Sequence, residues 1–189
     1  MPKISPELTA AIRLLSPDRK DKLLLRLIAK DKMLIAQLHF ELLEAKESVE
    51  DRVAALKEVI QKELEAVGKY YFTPGNLLMV MRFLNARITE HVKITKDKMS
   101  EVTLTLYLLA EAFRQYFPKL QKFSAHRSQT FSENAVRRAQ FAVKKAEKLH
   151  EDYHLEFQEE MQSVLDFIYQ FPPTVPLAKE AELPRRWGE

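Results

Sequence analysis

Residues 131–171, FSENAVRRAQFAVKKAEKLHEDYHLEFQEEMQSVLDFIYQF, decide how this chain is read: they contain neither glycine nor proline, and Pro172 and Pro173 follow at once. Apolar residues recur along them at Val136, Ala139, Val143, Ala146, Leu149, Tyr153, Phe157, Met161, Val164 and Ile168. Steps of three and four mark one face of an α-helix, so the stretch predicts a single long amphipathic helix with that stripe buried. Unbroken, it would span roughly 60 Å at about 1.5 Å per residue, longer than a compact domain of this chain length is wide. Other helices are expected to lie along it, or part of it to project.

Outward from this stretch, composition favours more helices. Only three glycines occur among 189 residues, and hairpin-rich folds need residues that accept positive φ. Nine prolines punctuate the chain, yet between Asp18 and Phe171 only Pro74 and Pro118 appear. Hydrophobic content of 46% and charged content of 30% are those of an ordinary globular protein. There is no cysteine, which excludes disulfides, thiolate nucleophiles and Cys-based metal sites. No apolar run approaches bilayer length and no signal-peptide core is visible, so a soluble, cytoplasmic protein without membrane association is expected. The net charge of +3 gives only a slight lean toward anionic partners.

Ser5-Pro6 and Ser16-Pro17 each place a cap before a helix-opening proline, predicting helices to about Leu15 and Lys30. The second carries Leu23, Leu24, Leu25, Leu27 and Ile28, a stripe so broad that burial on two sides is expected. Asp31 caps a third helix through Leu43, and the three short helices are expected to pack as antiparallel hairpins. Ser48 and Asp51 form a capping box for a fourth, with Val49, Val53, Leu56, Ile60, Leu64 and Val67 inward and Gly68 as a left-handed terminator. Tyr70-Tyr71-Phe72 reads as a packing plug. Thr73-Pro74 opens a fifth helix, with Leu77, Leu78, Met81, Leu84 and Ile88 inward, fading over residues 92–96.

Residues 102–108, VTLTLYL, alternate as a strand does, but no second strand is apparent to satisfy one. Leu106, Leu109, Phe113 and Phe117 continue at helical spacing, so a helix over 98–117 stopped by Pro118 is expected, then a loose connection over 119–130. Residues 172–189 read as an extended tail rich in proline and charge. The fold class is therefore all-α: about seven helices packed as antiparallel hairpins, in a bundle or a short HEAT-like array, around a long C-terminal helix. Residues 1–171 are expected to form a single domain.

For chemistry, His150-Glu151-Asp152-Tyr153-His154 matches H-E-x-x-H, in which imidazoles one helical turn apart can hold zinc while the glutamate activates water. A third ligand at the usual spacing is missing, and the helical wheel puts His150 on the buried face with His154 at its edge. Both are accordingly expected to be hydrogen-bonded core histidines, with no cofactor bound. Glu147-x-x-His150 and Glu151-x-x-His154 also suit a di-iron bundle, but no second helix repeats the motif. Phosphate-cradling glycine loops are absent and nothing marks a Ser-His-Asp triad.

Binding is better supported than catalysis. Arg137, Arg138, Lys144, Lys145 and Lys148 fall opposite the apolar stripe with Phe141 among them, a cationic face with an aromatic at its centre that would suit nucleic acid or another polyanion. Further along, Glu151, Asp152, Glu156, Glu159 and Glu160 reverse the sign. A helix of such polarity could pair antiparallel with its own copy. The expected function is a non-catalytic interaction or scaffolding protein, its partner another protein or itself through the long helix. The alternatives are polyanion binding over 137–148 and a zinc-dependent hydrolase at 150–154.

Overall fold

The computed structural model describes residues 4–44, 48–69 and 71–188; the side chain of Ser48 in the expected capping box, and Tyr70 of the aromatic cluster, lie outside the described residues. No strand occurs among the described residues, and the fold is all-α. The chain divides into two compact units, 1–45 and 46–189, rather than at 171 and 172.

The first unit holds α1 (Pro6–Arg13), α2 (Pro17–Ile28) and α3 (Lys32–Leu43). Two of the three capping signals work as the sequence implies: the Ser5 hydroxyl accepts from the Leu8 N–H at 3.2 Å, and Asp31 Oδ1 accepts from the N–H groups of Met33 and Leu34, whereas Ser16 stands at the N-cap of α2 without a side-chain cap hydrogen bond. Helix α2 packs on α3. Burial of α2 on two sides is not found: no described residue of this unit is buried, and Leu24, Leu25 and Leu27 are exposed. Its helices arise from caps and local propensity, and three short helices are too few to enclose a core.

The second unit holds α4 (Ser48–Val67), α5 (Pro74–Thr95), α6 (Lys98–Leu120), α7 (Ala125–Ala146), α8 (His154–Gln170) and α9 (Val175–Glu180), with a 3-10 turn at Glu151–Tyr153. Its centre is α6, which packs against α4, α5, α7 and α8. From Leu104 to Phe113 every residue of α6 except Tyr107 is buried. Phe113 stacks on Phe167 of α8 at 5.5 Å and meets Phe131 of α7 edge-on at 6.1 Å. Encirclement explains the strand-like alternation of VTLTLYL, since a helix buried on every face needs no 3.6-residue stripe. Pro118 does not stop α6, which runs on to Leu120; in the last turn the missing N–H costs one hydrogen bond.

The single helix over 131–171 is not present. It is two helices, α7 and α8, packed on one another and both on α6, and α7 starts earlier than expected, capped by Ser124. Turning back places both halves of the stripe in one core: Val136, Ala139, Val143 and Ala146 are buried in α7, and Phe157, Met161, Val164 and Ile168 in α8. A straight rod would leave one half in water, and burying several large side chains at about 1.5–3 kcal/mol each outweighs unbroken helix propensity. Gly68 also departs from expectation. It is not at positive φ; instead a Cβ there would come within 2.7 Å of Lys119 Nζ and 3.1 Å of the Tyr116 ring. Phe72 fills the adjacent space, stacked on Tyr116 at 4.9 Å, while Tyr71 is exposed.

The C-terminal segment is not an extended tail. Helix α9 packs on α7 and α8, with Ala178 and Leu183 buried and Trp187 packed against the core. Glu182, at φ 53°, ends α9 in a left-handed turn in which the Leu183 N–H donates to the Ala178 carbonyl at 2.9 Å.

Candidate functional site

The H-E-x-x-H residues do not share a helix. His150 lies ahead of the 3-10 turn in extended backbone, 72% exposed, where its Nδ1 accepts from the Asp152 N–H at 3.4 Å. The expected burial of His150 is therefore overturned, because the helix that defined its face ends at Ala146. His154 begins α8, half-buried, and its Nε2 lies 3.1 Å from the Ala146 carbonyl. A carbonyl only accepts, so Nε2 carries the proton and donates, as a second donor to a carbonyl at the C-terminus of α7 that also accepts from the Leu149 N–H at 2.9 Å. Both histidines close the α7–α8 corner, and the one-turn spacing that lets two imidazoles grip a metal is absent. Among the described residues, no three His, Asp or Glu side chains gather as a metal would need.

That corner carries a strap. The Trp187 indole N–H donates to the His154 carbonyl at 3.4 Å, and its ring lies 5.5 Å from the His154 imidazole. Gln162 of α8 donates to the Arg185 carbonyl at 3.1 Å and accepts from the Trp187 N–H at 3.1 Å. Gln140 of α7 donates to the Ala181 carbonyl at 2.8 Å, and the Tyr169 hydroxyl to that of Leu183. The Thr174 hydroxyl, fully buried, donates back to the carbonyls of Ile168 and Phe171. No sequence signal marks these glutamines, because a polar residue on an outer helix face ordinarily faces water.

The basic face of α7 is only partly open. Arg137 and Lys144 are exposed, as is Lys148 in the turn beyond the end of α7, whereas Arg138, Phe141 and Lys145 are half-buried. Lys145 Nζ pairs with Glu101 Oε2 of α6 at 2.7 Å and lies 5.1 Å from the Phe141 ring centre; the Arg138 guanidinium lies 5.8 Å from the same ring. Burial first, and the like charge of Arg137 second, hold the Arg138 guanidinium below its usual pKa against the opposing pull of Glu101. Arg138 nonetheless stays charged at any working pH. Phe141 is thus engaged by two cations of its own helix, and the face that could meet a polyanion narrows to Arg137, Lys144 and Lys148.

One polar cluster escaped the sequence reading. At the α5–α6 corner His91 is buried, its Nε2 2.9 Å from Ser100 Oγ, while the Ser100 hydroxyl faces the Asp97 carbonyl at 3.2 Å. Ser, His and Asp meet here without forming a nucleophilic triad: the Asp97 carboxylate caps α6 through the N–H groups of Met99 and Ser100, and Ser100 itself is buried. Desolvation lowers the His91 pKa, Asp97 opposes that shift, and Arg52 adds to it. Elsewhere a cleft of about 750 Å³ opens among Phe123, His126, Phe171, Pro173, Pro176 and Leu177, lined by apolar groups with few polar ones to orient a ligand.

Comparison of the chain with protein-family models, curated proteins and solved structures finds no match. Among the described residues, no helix is long and apolar enough to cross a membrane.

Proposed function

We propose that this protein is a non-catalytic helical interaction module, with the second unit as its folded body and the first as its contact surface. One observation carries the proposal: the first unit buries no described side chain, and Leu25, Leu42 and Leu43 are 65%, 71% and 74% exposed. Scattered exposed leucines are common, but a run of short helices whose apolar side chains are mostly open is the mark of a surface made to be covered. The polar clusters of the second unit support the same reading, since His91, His150, His154 and Lys145 each serve a helix corner or a helix pair. A cytoplasmic location is part of this proposal and rests on sequence composition.

The test is a photo-reactive amino acid placed at Leu25 or Leu42 of the full chain in cells. Polypeptide adducts are expected at both positions and at neither Gln158 nor Glu159 of α8. Absence of any polypeptide adduct at the leucines sinks the reading. Polyanion binding is the second reading, supported by the outward cations Arg137, Lys144 and Lys148. Replacing all three by glutamate is expected to abolish binding to a single-stranded oligonucleotide and its salt dependence; binding that persists with the same salt slope refutes it.

A further inference from the structure

Helix α3 has apolar residues on every side. Met33, Leu34, Ile35, Phe40, Leu42 and Leu43 point around its full circumference with Gln37, His39 and Glu41 set between them, and a helix so rich in apolar side chains is ordinarily covered on more than one side. Within its unit α2 packs on α3 from one side, leaving Ile35, Leu42 and Leu43 exposed, as are Leu24, Leu25 and Leu27 of α2. The α2–α3 pair is half of a core.

We propose that the missing half is the same pair from a second copy of this chain, so that two α2–α3 hairpins close into a two-fold, four-helix interface. This inference rests on the interaction-module reading and names its partner. Three features select a second copy. Both helices have 12 residues, about 18 Å, so two hairpins match in length and close without overhang. The ends of α3 differ in charge: Lys30 and Lys32 flank the capping Asp31 at its start, and Glu41 and Glu44, the latter 3.1 Å from His39, lie at its end, so an antiparallel copy sets a net basic end beside an acidic one. The area also suffices: the six open leucine and isoleucine side chains offer on the order of 300 Å² of apolar surface per copy. With a polar rim in the usual proportion the pair buries about 1,000 Å², the threshold for a specific interface. A lipid surface fits less well, because Asp18 and Asp21 interrupt the basic side of α2, and Gln37, His39 and Glu41 interrupt α3.

The experiment is sedimentation of the full chain at micromolar concentration, alongside thiol chemistry made specific by the absence of native cysteine. The expected result is a species of twice the 22.1 kDa chain mass that falls to the single mass in the Ile35→Glu/Leu42→Glu variant, with the Trp187 fluorescence transition of the second unit unchanged. Ile35→Cys, which keeps an apolar side chain, should cross-link to a dimer with a short bis-maleimide, and Gln158→Cys should not. A dimer that persists in the double variant while Ile35→Cys fails to cross-link overturns the proposal. So does a monomeric wild type, and the thiol then separates the two readings. An Ile35→Cys thiol as reactive as Gln158→Cys leaves the surface open for a different polypeptide and removes self-pairing alone. A protected thiol in a monomer means that the chain covers this surface itself, which removes the interaction-module reading too.

Discussion

His91 is the residue whose environment most constrains its chemistry. Its imidazole is held by Ser100 and faces the charges of Asp97 and Arg52, and desolvation keeps it neutral to lower pH than an imidazole in water. Folded His91 therefore takes up a proton at a lower pH than unfolded His91 does. The stability it contributes is complete above the ordinary histidine pKa of about 6.5 and is lost as pH falls from there toward the depressed folded value. The midpoint of urea unfolding is expected to drop between pH 7 and pH 5, and His91→Gln, which cannot titrate, should flatten that drop; equal slopes in both proteins would contradict the assignment. Tyr116 permits a second measurement at this scale. Its hydroxyl donates to the buried Leu64 carbonyl, 52 residues away in sequence, and its ring stacks on Phe72. Tyr116→Phe keeps the stack and orphans the carbonyl, so a loss of about 1–2 kcal/mol is expected from chemical unfolding.

At the scale of elements, α6 is the helix around which the second unit is assembled. Phe113→Ala is expected to cost about 3–5 kcal/mol, because the cavity would open between α6, α7 and α8, where no single neighbour can collapse into it. Leu155→Ala, at a side chain 77% exposed on α8, should stay within about 0.5 kcal/mol in the same unfolding assay. Two helix ends carry a left-handed residue with a Cβ: Lys96 after α5 at φ 59°, and Glu182 after α9 at φ 53°. Replacing either with glycine is expected to stabilise by about 0.5–1 kcal/mol, read as a higher unfolding midpoint. Helix identity was visible in the sequence wherever a cap coincided with a stripe: Asp31, Thr73 and their helices appear where expected. The break between Ala146 and His154 was not visible, because residues 147–150 include neither glycine nor proline and the apolar spacing runs through them. Only the packing of both halves on α6 makes the corner favourable, and that is tertiary information. The same gap misplaced His150, whose wheel position had no meaning once its helix ended.

For the molecule as a whole, the two units divide the stabilising interactions unequally. Among the described residues the buried core lies within residues 46–189, and the first unit relies on caps and partial cover. The basic face, so plain in the sequence, kept its exposed members Arg137, Lys144 and Lys148; Lys145 was lost from it because an ion pair with Glu101 forms only once α6 and α7 are packed. Trp187, the only tryptophan, sits on the strap and so reports its attachment directly. Gln162→Ala removes the side chain that holds both Arg185 and Trp187, and the fluorescence of Trp187 is expected to shift at lower urea than the helical circular dichroism; coincident transitions would show that the strap and the core unfold as one. The strap has a consequence for variation among descendants of this sequence. Gln140, Gln162 and Tyr169 grip the main-chain atoms of residues 181–187, and a main chain is common to nearly every amino acid. A substitution along the strap can therefore leave these bonds in place, with Arg185 adding a side-chain contact 5.1 Å from the Tyr169 ring centre, whereas the glutamines beneath it, unremarkable by type, are the ones whose loss would release it.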